Sequence, residues 1–163
     1  MDSTRRRKTA GALAALVAVV VGTTGCGSES RDIGRRTETS RVADTTDIVR
    51  EAYEFAGIVI PANATVLDAG TENGIDTLYR LAVSTDPQGL EQLLAGSKFS
   101  TPLTKASNVT DTTIAGPPLE TSPMVLRAAD TFRNTAGKSV NRHIIVDERD
   151  LSTRFVHLQL FDT

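Results

Sequence analysis

Cysteine is almost absent: Cys26 stands alone in 163 residues, so no intrachain disulfide can form and any folded body must be held by packing. Tryptophan is missing and aromatics make up 4% of the chain against 39% apolar residues overall, which calls for a core of aliphatic side chains. His143 and His157 are the whole supply of imidazole. There is no Gly-x-Ser-x-Gly elbow, no Ser-x-x-Lys motif and no glycine-rich phosphate loop, which removes the recognisable forms of nucleophilic catalysis and nucleotide binding. Long hydrophobic runs are lacking too. The longest, Ala10 to Val21, falls well short of the roughly 20 apolar residues that cross a bilayer.

The N-terminal residues are patterned differently from the rest. Arg5, Arg6, Arg7 and Lys8 precede the apolar run, and the small residues Gly22, Thr23, Thr24 and Gly25 then lead to Cys26. A charged segment, an apolar segment and small residues, in that order, are the pattern of a secretory signal. The basic cluster tends to stay in the cytoplasm, which directs everything after Cys26 outward. Lys8 and Thr9 are not the apolar residues that follow the arginines in a twin-arginine signal, so the general secretory route is favoured.

On these residues the chain resembles bacterial lipoproteins. Thr24, Gly25 and Cys26 match their lipobox, and Thr23 stands where leucine is usual. The resemblance implies that residues 1–25 are a cleaved signal peptide and that Cys26 carries the lipid, with palmitate-type chains holding the protein on the extracytoplasmic face of the cell membrane. The Ala/Val-rich leader, the preference for Arg over Lys and the Thr-rich body are similar in style to small lipoproteins of high-GC Gram-positive bacteria. That likeness implies no activity.

Loss of residues 1–25 removes four basic residues and one acidic residue, leaving 14 against 19 and a net charge of −5. An acidic module lacks the clustered Lys and Arg that bind phosphates, so nucleic acid is not expected as a partner. Residues 26–46 interleave Glu, Asp and Arg without an aromatic side chain and bury too little to offset their ordering entropy. They read as a flexible tether with a span of roughly 25 Å. Arg35 and Arg36 belong to its solvated charges.

A single α+β domain is expected over residues 47–163. Asp47 can cap a helix in which Ile48, Val49, Ala52, Phe55 and Ala56 recur at helical spacing up to Gly57. Asn73-Gly74 separates two extended runs and marks a hairpin. The second run is apolar on both faces, as an interior strand would be. Asp86-Pro87 starts a short helix with Leu90, Leu93 and Leu94 on one side. Residues 97–123 lack periodicity and form a long loop, which either packs through Phe99, Leu103, Val109, Ile114 and Leu119 or is functional. Met124 to Phe132 reads as a third short helix.

Ser139 to Val146 and Thr153 to Phe161 form a terminal hairpin. If its loop has an odd number of residues, Val140, Ile144, Val146, Val156, Leu158 and Leu160 share the core face. The resulting expectation is an antiparallel sheet of about four strands with two or three helices on one face.

Under the same register Asn141, His143, Asp147, His157 and Gln159 meet on the opposite face. No metal site is assigned; His143, His157 and Asp147 are the residues that could supply one, but an ordinary half-exposed sheet face with polar cross-strand pairs is the favoured account of them. Catalytic carboxylates are not identified, since spacing alone selects no pair among Asp68, Glu72, Asp76, Glu91 and Glu120. Asn63 and Asn108 fit the glycosylation sequon, which the bacterial-type leader makes irrelevant. No cofactor is implied. These observations favour a tethered, non-enzymatic binding or interaction module, partnered by the membrane through Cys26 and by an envelope protein or cell-wall component. The alternative is a small envelope hydrolase or metal-dependent enzyme whose long loop covers its site.

Overall fold

The computed structural model describes residues 44–108 and 110–162. The expected leader, Cys26 and nearly all of the expected tether lie outside the described residues, as does Val109.

The first helix, α1 (Thr45–Ala56), has its cap three residues before the expected one. Asp44, rather than Asp47, has the extended backbone of a cap, and its carboxylate accepts from the Thr46 amide at 3.1 Å. Asp47 lies in the first turn and pairs with Arg50. The helix stops at Gly57, whose φ of 68° is left-handed. A methyl group there would also approach the Phe132 ring to 2.7 Å, so the position excludes side chains on two grounds. Ile48, Ala52 and Ala56 form the buried stripe.

Strands β1 (Thr65–Asn73) and β2 (Thr77–Thr85) form the hairpin marked by Asn73-Gly74, and β2 is interior as its two apolar faces require. Helix α2 (Pro87–Gly96) follows, with Pro87 at its start and Asp86 accepting from the Gly89 amide at 2.6 Å. The long loop contains a two-residue strand β3 (Thr104–Lys105) and a 3-10 turn at Leu119–Thr121. Then come β4 (Val125–Arg133), β5 (Ser139–Glu148) and β6 (Arg154–Phe161).

These strands make one antiparallel sheet in the order β1-β2-β6-β5-β4-β3. The expectation of four strands with two or three helices is therefore corrected to six strands with two α-helices among the described residues. The third helix does not exist: Met124 to Phe132 falls largely in β4, which pairs with β5 from Val125↔Asp147 to Arg133↔Ser139. Leu, Arg and Ala in this run are good helix formers, but local propensity is worth a few tenths of a kcal/mol per residue and a nine-residue ladder overrides it.

The terminal hairpin has a five-residue turn, 149–153, so the even-numbered residues of β5 and β6 share a face. Val140, Ile144, Val146, Val156, Leu158 and Leu160 are all buried there, against Leu81 and Val83 of β2 and the apolar stripes of both helices. One residue of that face breaks the aliphatic pattern. Arg142 is 1% exposed, directly opposite Asp130 of β4, and bonds it through Nε (2.7 Å) and Nη2 (2.6 Å). Its Nη1 donates to the carbonyls of Ala56 (3.1 Å) and Ser97 (2.8 Å), and Nη2 also reaches Lys98 (3.2 Å). The guanidinium lies 4.3 Å from the Phe99 ring centre and 4.9 Å from that of Phe132. A single side chain thus satisfies carbonyls at the ends of both helices, groups that a helix leaves unpaired.

Candidate functional site

Among the described residues, the opposite face of the sheet carries no α-helix. It is formed by the even-numbered residues of β2 and the odd-numbered residues of β4, β5 and β6, as the pairing register requires. Asn141, His143, Asp147, His157 and Gln159 do share this face, but their surroundings differ.

The loop after β3 covers part of it. Leu119 packs on Val125 and Ile145, with Ala106 at the margin, in a second small apolar cluster. Gly116 lies over Phe155 and His157, close enough that a methyl group there would stand 3.6 Å from the imidazole. His157 is 5% exposed, and neither ring nitrogen has a hydrogen-bond partner among the described residues. Burial pushes its pKa below the ordinary value, against the opposing pull of Asp147. Asp147 is fully buried: Oδ1 accepts from Ser122 at 2.5 Å, and Oδ2 accepts from Arg149 Nε at 3.0 Å and from its Nη2. Arg149 continues to the carbonyls of Thr121 (3.1 Å) and Pro118 (3.2 Å), so this carboxylate anchors the 3-10 turn to the sheet.

His143 lies elsewhere on the face. It is opposite Gln159, whereas His157 is opposite Ile145, and it stands edge-on to Phe161 with ring centres 5.1 Å apart. Among the described residues no three His, Cys, Asp or Glu side chains are grouped so as to hold a metal ion. The carboxylates are dispersed as well. Asp68 and Glu72 lie on β1, where Glu72 pairs with Arg80, while Asp76 is in the hairpin turn, Glu91 on α2 and Glu120 in the 3-10 turn.

Where the loop does not cover the sheet, a cleft of about 330 Å³ opens. Its floor is the sheet itself, with Ala129 of β4 and Ile145 of β5 as apolar elements, and His143 and Gln159 stand beside them. Thr101 and Thr104 also line the cleft, with Thr104 paired directly with Arg127 across the strands. Arg127 belongs to the sheet floor, and its Nη2 donates to Asp111 at 2.6 Å and to the Asn108 carbonyl at 3.2 Å. An apolar floor with a few convergent polar groups is the usual composition of a small-molecule site, and its volume lies at the lower end of that range. Arg127, Asp111, Ala129 and Ile145 were not singled out by sequence reasoning. Three of them become neighbours only through strand pairing and the fourth arrives on the loop; the open concavity has no periodic signature.

A second cavity, of about 480 Å³, lies between the C-terminal ends of α1 and α2, beside Tyr53, Lys98 and Phe132. Its floor belongs to the Arg142 cluster.

No protein family, curated protein or solved structure matches this chain.

Proposed function

We propose that this chain is an extracytoplasmic, lipid-anchored binding module that holds a small ligand in the cleft over β4, β5 and β6. The leader and Cys26 support the location, and the cleft supports binding. The reading rests on that concavity, in which an apolar sheet floor meets Arg127, His143 and Gln159. Catalysis is disfavoured because the two most buried ionisable groups of this face are committed elsewhere: Asp147 anchors the 3-10 turn, and His157 is sealed under Gly116.

Ligand-observed NMR of a fragment library tests the reading on the processed chain in detergent micelles. Ala129→Phe would fill the floor from an exposed strand position. A set of fragments should bind the wild type and be lost from this variant at unchanged Tm. A library without binders, or binders indifferent to Ala129→Phe, would overturn the cleft as the site.

A further inference from the structure

Resting on the reading of this cleft as a binding site, we infer that its ligand is a small organic carboxylate, and that the Asp111 carboxylate occupies the ligand's place on Arg127 in the structure described above.

The charges of the cleft point this way. Among the described residues, Asp111 is the single anionic side chain lining it and Arg127 the single permanently cationic one. The anion belongs to the loop, whereas the cation belongs to the sheet floor. Without Asp111 the one charged group left in the lining, among the described residues, is the Arg127 guanidinium, beside the Gln159 amide, an imidazole and the Thr101 hydroxyl, each of which can donate as well as accept, while the Thr104 hydroxyl is already engaged with the Arg127 carbonyl. A lining whose net charge is then positive selects an oxyanion over a cation.

Arg127 is also incompletely used. Its Nη2 carries the bonds to Asp111 and Asn108, while Nε is buried and without a hydrogen-bond partner among the described residues. A guanidinium offers two parallel N–H donors along one edge, the arrangement that matches both oxygens of a carboxylate. Asp111 engages only one nitrogen of the fork. An incoming carboxylate can bond Nε and Nη2 together, so it makes one more hydrogen bond than the group it displaces.

The exchange is also inexpensive on the protein side. The two side chains of the pair are 43% and 30% exposed, and an ion pair at that exposure is largely screened by solvent. The Asp111 carboxylate can return to water when displaced. Ala129 and Ile145 next to Arg127 provide apolar contact for the remainder of the ligand, which distinguishes an organic acid from an inorganic anion.

Matched probes of one shape test the inference on the processed chain in micelles: benzoate, neutral benzamide and cationic benzylamine, with inorganic phosphate as competitor. Benzoate should bind, benzamide and benzylamine should bind at least tenfold more weakly, and phosphate should not displace benzoate at equal concentration. Asp111→Asn should raise benzoate affinity about three- to tenfold, because it removes the internal competitor. Misfolding cannot mimic that gain. Arg127→Gln should abolish benzoate binding, and Arg127→Lys, which keeps the charge but loses the fork, should fall between.

Equal binding of benzamide, or weaker benzoate binding in Asp111→Asn, would overturn the carboxylate assignment while leaving the cleft reading intact. Displacement by phosphate would reduce the site to a general anion site and also overturn it. If neither these probes nor any library fragment binds, the cleft reading itself fails.

Discussion

At Arg142 a permanent charge occupies a position that the alternation of the strand assigns to the core. Removing it from water is costly, and the cost is offset only because every direction of the guanidinium meets a partner: Asp130 across the strands, three carbonyls at the helix ends and two aromatic rings. Burial raises the pKa of the Asp130 carboxyl, but hydrogen bonds from Arg142 and the Ser100 amide, with the Arg142 charge, outweigh this and hold it below the ordinary value. Arg142→Met should therefore cost about 3–5 kcal/mol in urea denaturation, since it strands Asp130 in the interior. Arg142→Met combined with Asp130→Leu should be less harmful than the sum of the single changes, and additivity would show the pair to be uncoupled. His157 poses the opposite case, a buried base with no hydrogen-bond partner among the described residues. Its folded pKa lies below its unfolded value, so the folded state binds fewer protons in the interval between them. Its contribution to stability is whole above the unfolded pKa of about 6.5 and is lost as pH falls from there through the folded value. Denaturation midpoints measured from pH 8 to pH 5 should decline for the wild type more steeply than for His157→Phe; parallel curves would contradict this assignment.

Among the elements, the helices were legible because their signals are local. Asp86-Pro87 and Gly57 specify a start and a stop through backbone chemistry that no distant residue alters. The start of α1 was displaced because Asp44 and Asp47 are both competent caps and the choice depends on which carboxylate faces a free amide. Asp44→Ala should accordingly destabilise the fold by about 1 kcal/mol, the typical value of a helix cap, while Asp47→Ala should cost less than half of that. Thermal melts of the two variants decide between the caps. Strand β4 was not legible. Residues 124–132 carry helix-forming side chains, and their alternation has meaning only when β5 is present: Arg127 and Ala129 face the cleft, whereas Leu126, Ala128 and Asp130 face the helices. Nor could β3 be read, since two residues become a strand only through their partners on β4.

For the whole molecule, the leader and the folded body answer different questions. Cys26 lies outside the described residues, and its proposed lipidation has its own test: Cys26→Ser should move the protein from the membrane fraction to the soluble fraction, and labelling with a palmitate analogue should disappear with it. An unchanged distribution would leave the anchor without support. Among the described residues no helix is long and apolar enough to cross a membrane. The sequence by itself determined the features written in neighbouring residues: the leader pattern ending at Cys26, the two helices, the hairpin at Asn73-Gly74 and the faces of the last two strands. Alternation, capping and turn chemistry act over a few positions, and no contact is needed to read them. Only the tertiary structure decided that β4 is a strand, that Arg142 binds both helix ends and that a cleft opens beside Arg127 and Asp111. These depend on pairings 12 or more residues apart in sequence, from Asp130 with Arg142 to Ala56 with Arg142, which single-chain patterns do not encode. The cleft is defined by what the loop leaves uncovered, and an opening of that kind leaves no residue pattern to find.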